Sequence, residues 1–178
     1  KGVWSFGIGT LSMFLSSFSV IFLALTLIIG VEPWYQPQYL IPLLGMLLGN
    51  TMSGIAITLD NLSRQAWEGR GRIEARLLLG QSWECAISDI RRDSLRAGLI
   101  PIINSMAAAG LVSLPGMMTG QILAGSPPME AAKYQMMILF LISAGTGLGS
   151  AAAVWIGSRR LFDNRQRLRL DRLTGPER

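Results

Sequence analysis

The stretch that decides the fold runs from Trp4 to Gly30 and reads WSFGIGTLSMFLSSFSVIFLALTLIIG, without a single charged residue. A helix needs about 20 apolar residues to cross the hydrocarbon core of a bilayer, and this stretch is longer than that. It is also longer than the apolar part of a signal peptide. The sequence therefore predicts a transmembrane helix at residues 4–30.

Three further segments satisfy the same criterion of length and apolarity, at residues 39–59, 97–124 and 132–157. Their connections on one side are short and rich in proline, and they leave no room for a soluble domain there. We therefore predict an all-α fold, a polytopic membrane helix bundle with four transmembrane helices. The predicted transmembrane domain covers residues 1–160, and a basic cytoplasmic C-terminal tail follows at residues 161–178.

The distribution of charge predicts the orientation of these helices. The chain has 16 Lys and Arg against 11 Asp and Glu, a net charge of +5. All of the arginines fall between the second and third predicted helices or after the fourth. Because basic residues stay on the cytoplasmic side of a membrane, we expect residues 61–96 and both ends of the chain in the cytoplasm. The expected location is the inner (plasma) membrane, and this placement of charge disfavours nucleic acid as a partner.

The composition also excludes several kinds of chemistry. The chain has no His and one Cys, so a His-based triad, a His metal site and an internal disulfide are excluded within it. It contains no G-x-x-x-x-G-K-[ST] phosphate loop, so any ATP would be hydrolysed by another chain. We expect no cofactor bound by this chain. An intramembrane enzyme is disfavoured, because the four segments hold no strong carboxylate pair.

The segment at residues 61–96 has a helical pattern of its own. Leu79, Trp83, Ile87 and Ile90 recur at helical spacing, while polar side chains occupy the other faces. This pattern predicts an amphipathic helix, or two short helices broken near Gly80. Such a helix can lie on the membrane surface, dock on a soluble partner or pack under its own bundle, and the periodicity leaves all three open.

Part of this segment resembles the cytoplasmic coupling loop of bacterial ABC importer permeases. Residues 74–80 read EARLLLG and are followed after nine residues by Ile90, as in the pattern E-A-A-x-x-x-G-x9-I. Arg76 replaces the second Ala of that pattern, and Arg92-Asp93 stands where Leu-Pro is expected. The resemblance implies contacts with an ATPase subunit at Glu74, Gly80, Trp83, Glu84, Ile87 and Ile90.

Four flanking motifs are similar to the FetB-type family of ABC permeases, which includes bacterial iron exporters and plant proteins linked to aluminium tolerance. They are GNTM at 49–52, RDSLRAGLIP at 92–101, GLVSLPGMMTG at 110–120 and KYQ at 133–135. The resemblance covers about residues 39–160 and implies additional helices before Lys1. It also implies a permease homodimer in a lipid bilayer, a separate ABC ATPase subunit, and export of a metal ion, with iron as the cargo.

Polar or helix-breaking residues at membrane depth are candidates for a translocation path, since polar groups there are costly unless they are paired or face a cavity. The candidates are Asn50, Asn104, Ser105, Pro115, Met117, Met118 and Gln121. For the polar ones, an interhelical hydrogen bond is the alternative. Around Pro115, freed carbonyls and thioethers are candidate metal ligands, and a packed kink is the alternative. No metal site is assigned.

Just before the third predicted helix, Arg92, Asp93 and Arg96 form a charged group. It is either an ion cluster that fixes the loop to the helix or a set of solvated positive residues. For the whole chain, a membrane scaffold that recruits a cytoplasmic partner is the alternative to transport. An ABC permease for an organic substrate, such as a nucleotide sugar, also stays open.

Overall fold

The computed structural model describes residues 2–29, 37–109, 116–163 and 166–169, and nearly all of these residues are helical. The helices are α1 (Gly2–Leu23), which continues as a π-helix (Ala24–Ile29), α2 (Pro37–Glu68), α3 (Arg70–Leu78), α4 (Trp83–Ala86), α5 (Ser88–Ala108), α6 (Gly116–Leu123) and α7 (Pro128–Arg160). Within these residues there is no strand, and an isolated bridge joins Phe162 and Leu168. The all-α prediction is confirmed for the part of the chain that the structure describes.

Three helices in the described residues are long and apolar enough to cross a membrane, at Gly9–Thr26, Leu40–Glu68 and Pro128–Arg160. They correspond to the first, second and fourth predicted spans. The third predicted span, 97–124, is described as two separate helices, the end of α5 and α6. Since α5 begins with several charged residues and ends at Ala108, it does not meet the same criterion. The four-span prediction is therefore supported at three of its four positions.

Helix α2 is longer than predicted, because it continues from the membrane segment to Glu68 without a break. Leu62 and Ala66, which are one helical turn apart, continue the buried face of α2 beyond Leu59. A helix of 32 residues is about 48 Å long, against about 30 Å for the hydrocarbon core. The predicted loop at 61–96 consequently starts inside a helix.

The centre of the bundle is a layer of small residues. Helices α2, α5 and α7 approach closely there, and Gly98 of α5 lies against α2. A Cβ atom on Gly98 would overlap the Thr58 hydroxyl and lie 2.7 Å from the carbonyl oxygen of Gly54. Thr58 donates its hydroxyl proton to that same carbonyl, at 2.7 Å. Close backbone packing through small residues is the usual way in which membrane helices associate.

Apolar clusters lie on either side of this layer. The far core comprises Val20, Ile21, Leu25, Leu43, Leu47, Ile102, Ile138 and Ile142. The loop-end core comprises Leu62, Ala66, Ile73, Ala86, Ile87, Ile90, Val154, Leu161 and Phe162. Because the loop-end core draws on α2, α3, α4, α5 and α7, it fixes the segment between α2 and α5 to the rest of the bundle.

Candidate functional site

Residues 69–87, here called the interhelical segment, form two short helices with a turn between them. Helix α3 ends at Leu78, and Gly80 follows with φ +83°. The Gly80 N–H donates to the carbonyl of Leu77 at 3.0 Å, and the Gln81 N–H donates to that of Arg76 at 3.1 Å. This pair of bonds is a Schellman motif, in which glycine supplies the left-handed residue. The predicted break near Gly80 is thus present and has a defined geometry.

The turn presents an apolar surface to the outside. Leu78 is 89% exposed and Leu79 is 81% exposed, and the three residues that follow are also exposed. We call residues 78–82 the loop tip. The hydrogen bonds of the capped turn define the backbone beside both leucines, so the loop tip is an apolar projection of defined geometry. Two adjacent exposed leucines offer apolar area for contact with a partner or with a lipid surface.

The other face of the interhelical segment is buried against its own bundle. Ile73 and Ile87 are fully buried and Ile90 is 2% exposed, packed with Leu62 and Ala66 of α2. Burying such side chains stabilises each by about 1.5–3 kcal/mol relative to leaving it in water. The segment therefore packs under its own helices, which is one of the three uses that the periodicity left open.

An ion pair ties α3 to the start of α5. The Arg76 guanidinium lies 2.8 Å from a carboxylate oxygen of Asp89 and also donates to the carbonyl of Ala86 at 3.3 Å. The hydrogen bond from Arg76 and its positive charge lower the pKa of the Asp89 carboxyl below its ordinary value, and the charges of Arg72 and Arg92 add to this effect. Arg76, the departure from the coupling-loop pattern, thus has a structural role.

The residues predicted to contact an ATPase fall into two groups. Glu74, Gly80 and Glu84 are exposed on the interhelical segment, and Trp83 is half-buried. Ile87 and Ile90, in contrast, lie in the loop-end core, so they support the surface from beneath. Their role as direct contacts stays a prediction that this packing does not favour.

Sequence reasoning placed Leu79 on the same stripe as Ile87 and overlooked Leu78. The stripe is interrupted, because the left-handed Gly80 changes the direction of the chain between these residues. The sequence did contain a signal for this exposed surface, the run of three leucines immediately before Gly80. Only one of three consecutive residues can lie on the buried face of α3, so the others must lie elsewhere.

The charged group before the third predicted span does not form an ion cluster. Arg92, Asp93 and Arg96 are all exposed on α5. Among the residues described, the salt bridges join Arg76 to Asp89 and Lys133 to Glu130. Of the two alternatives for Arg92, Asp93 and Arg96, the solvated set fits the structure better.

Three of the seven predicted path residues are exposed on the outside of this single chain. Asn50 is exposed on α2 and donates to the carbonyl of Met46 at 2.8 Å, while Ser105 on α5 donates to that of Pro101 at 2.9 Å. Asn104 is exposed next to it. On α6, the side chains of Met117, Met118 and Gln121 are half-buried, and Pro115 lies outside the described residues. The structure therefore does not bring the six described residues of this set together in one cavity.

The interior contains polar groups, most of which the sequence did not single out. Ser12, Ser17, Thr51, Thr146 and Ser150 are buried, and their hydroxyls have no hydrogen-bond partner among the described protein atoms. They line the contacts between α1, α2 and α7. No grouping of three or more acidic or cysteine side chains that would suit a metal ion occurs in the described ranges. Small hydroxyl residues are common in membrane bundles, so each position alone gave no signal.

Long apolar helices packed through small residues define a multi-pass helical membrane protein. Over residues 1–162 the chain matches the model of the uncharacterised protein family UPF0014, and it belongs to that family. It is 41% identical to the UPF0014 membrane protein slr1647 of Synechocystis, over 90% of this chain and 62% of that protein. It is 37% identical to the "Probable iron export permease protein FetB" of Escherichia coli, over 75% of this chain and 52% of that protein.

A plant relative, "Protein ALUMINUM SENSITIVE 3" of Arabidopsis thaliana, is 30% identical over 74% of this chain and 48% of its own length. The chain thus spans about half to three-fifths of the length of these curated relatives. The resemblance read from the four flanking motifs is confirmed. No solved structure matches the chain.

Proposed function

We propose that the chain is the transmembrane permease part of an ABC transporter that exports a metal ion, iron, with ATP hydrolysed by a separate ATPase subunit. The observation that carries the proposal is the loop tip, where two exposed leucines stand on a capped turn whose flanking residues, Leu77 and Trp83, pack on the loop-end core. The name of the Escherichia coli relative supports the transport class and the cargo.

The loop tip suits an ATPase groove on chemical grounds. Leu78 and Leu79 offer apolar area for a pocket, and the exposed Glu74 and Glu84 lie on either side of them along the chain. An apolar centre with a charged rim is the ordinary anatomy of a protein interface. In this proposal the loop tip faces the cytoplasm, and the protein lies in the inner (plasma) membrane with both ends of this chain on the cytoplasmic side.

The packing beneath the loop tip gives the proposal a mechanism. Displacing the interhelical segment displaces Ile87 and Ile90, which are embedded between α2 and α7. Because packed cores shift as units rather than deforming continuously, closure of two ATPase subunits would tilt these helices between two states.

The translocation path follows from the exposed polar residues. Asn50, Asn104 and Ser105 lie at membrane depth on outward faces of α2 and α5, where contact with lipid is unfavourable. In the proposed homodimer a second permease copy covers these faces, and the path runs along that boundary. Met117 and Met118 would add soft thioether ligands to amide and hydroxyl oxygens, a weak and transient set for ferrous iron.

The experiment is ATP hydrolysis by the cognate ATPase, with and without the complete permease in lipid and with ferrous iron added. The test variant is Leu78→Ser with Leu79→Ser. Leu123→Ser on α6 is the matched control, since this leucine is 83% exposed and lies on another helix. We expect lipid-dependent stimulation that is lost in the double variant and kept in the control. Absence of both binding and stimulation with the unaltered permease would overturn the proposal in favour of a scaffold.

A further inference from the structure

The chain turns back on itself directly after α7. The Arg169 N–H donates to the carbonyl of Leu161 at 2.8 Å, and the Asp163 N–H donates to that of Arg167 at 3.0 Å. We call residues 161–163 and 166–169 the C-terminal turn. The sequence predicted a basic tail from residue 161 onwards, and the described residues of this tail form a folded turn.

This turn packs directly against the interhelical segment. The rings of Phe162 and Trp83 have centroids 5.6 Å apart at an angle of 39°, and the backbone N–H of Trp83 donates to the Gln166 side-chain carbonyl at 3.3 Å. Leu161 and Phe162 are buried members of the loop-end core, and Leu168 packs against it. An aromatic pair of this kind adds stabilisation beyond the apolar area that it buries.

The conformation of Gln166 shows that the contact constrains the chain. Gln166 has φ 56°, the left-handed region, and is the one non-glycine residue in the described ranges with positive φ. This conformation is unfavourable for glutamine and needs surrounding contacts to hold it. The bond to the Trp83 N–H, which is an otherwise unused donor in the first turn of α4, is one of those contacts.

We propose that Phe162 and Gln166 are positioning residues that clamp α4 to the end of α7, so that displacement of the loop tip moves α7 together with α5. The proposal rests on the function proposed above and identifies the contacts through which movement of the loop tip would reach the membrane helices. Along the chain, α4 is joined only to α3 and α5; the C-terminal turn supplies a direct link to α7. Helix α7 packs on α1, α2, α5 and α6, so a link to it reaches most of the bundle.

The test uses two variants that disturb the clamp in different ways. Phe162→Ala removes the ring that packs on Trp83. Gln166→Gly removes the amide, while glycine adopts the left-handed conformation without strain. Arg167→Ala is the matched control, because this side chain is exposed on the same turn and only its backbone carbonyl takes part in the turn.

The first readout needs no ATPase. Amide hydrogen exchange at Trp83 is measured in the complete permease in lipid. We expect exchange at Trp83 to rise about fivefold in Gln166→Gly, the factor for one lost hydrogen bond, and to rise in Phe162→Ala but not in Arg167→Ala. Unchanged exchange in both clamp variants would overturn the clamp, whatever the outcome for transport.

The second readout is ATPase stimulation by the same variants. We expect stimulation to fall about fivefold, the lower end of typical coupling between two sites, while affinity for the ATPase is unchanged, because the loop tip itself is intact. Equal losses of affinity and stimulation would reduce the role of these residues to folding of the loop tip and overturn the proposal. If the unaltered permease neither binds nor stimulates the ATPase, the proposed function fails while the exchange measurement still decides the clamp.

Discussion

At the scale of single residues, two positions determine the geometry of the interhelical segment. Gly80 supplies the left-handed residue that ends α3, and Arg76 supplies the ion pair with Asp89. Both lie within the stretch that resembles a coupling loop, but only the glycine is part of that pattern. The resemblance predicted the turn, and the tertiary structure was needed to find the ion pair, since its two members are 13 positions apart.

We expect Gly80→Ala to strain the turn by about 1–2 kcal/mol, because alanine is unfavourable at positive φ. Amide exchange at Gln81, whose N–H closes the Schellman motif, measures the effect. Gly71→Ala is the control, since Gly71 lies within α3 with open space around it, and alanine there stabilises the helix by about 0.5–1 kcal/mol. Equal exchange in the two variants would contradict the role of Gly80.

The ion pair gives a prediction about pH. Because the folded-state pKa of Asp89 is lowered, its stabilising effect is present above the ordinary pKa of an aspartate and is lost as the pH falls through the lower, folded value. We expect Asp89→Asn to loosen the interhelical segment at neutral pH and to have little effect under strongly acidic conditions.

The mobility of a spin label on the exposed Cys85 reports this difference. Asp93→Asn is the control, being an exposed carboxylate one turn further along α5. If the label mobility still differed by the same amount between wild type and Asp89→Asn at the lowest pH, this explanation would be ruled out.

At the scale of elements, apolar periodicity predicted the positions of three long helices but not their ends. Helix α2 was expected to end near residue 59, but it continues to Glu68. It continues because Leu62 and Ala66 maintain its buried face, while the charged residues after Asp60 lie on its other faces. The third predicted span, at residues 97–124, stays a prediction, because residues 110–115 within it lie outside the described residues. A run of apolar residues between 97 and 124 satisfied the length criterion, yet the described helices end and begin within it.

Because α2 and α5 pack closely, we expect substitution of Gly98 to have a large effect on stability. Gly98→Ala would place a methyl group against Thr58 and the backbone of Gly54, and we expect a loss of about 1–3 kcal/mol, the usual range for overpacking. Thermal unfolding of the complete chain in detergent measures it. Gly147→Ala on α7 is the control, because a Cβ there meets nothing within 4 Å. Equal melting temperatures for the two variants would mean that the close approach is not maintained.

At the scale of the whole molecule, the sequence identified the class of protein and its family, while the contact and path residues stay predictions. Exposed Glu74, Gly80 and Glu84 fit the expected contact surface, but Ile87 and Ile90 are interior. The path residues could not be placed in one site, because Asn50, Asn104 and Ser105 are exposed on this chain and Pro115 lies outside the described residues.

The proposed homodimer can be tested at the outward face of α2. Ser53→Cys introduces a thiol on that face, where Ser53 is exposed at membrane depth, and we expect oxidation to crosslink two copies of the complete permease in lipid. Phe140→Cys, also exposed but on α7, is the control and should remain uncrosslinked. Crosslinking through Phe140→Cys alone would assign the dimer boundary to α7 instead.

The excess length of α2 has a consequence for how the molecule is held together. A helix of about 48 Å exceeds a hydrocarbon layer of about 30 Å, so we expect the loop-end core at or beyond the lipid headgroups, where water drives its assembly. We expect the far core, in contrast, among acyl chains that are as apolar as its own side chains. Urea should therefore unfold the loop-end core while the helices around the far core stay folded. The loop-end core would then behave as a small soluble domain attached to a membrane bundle.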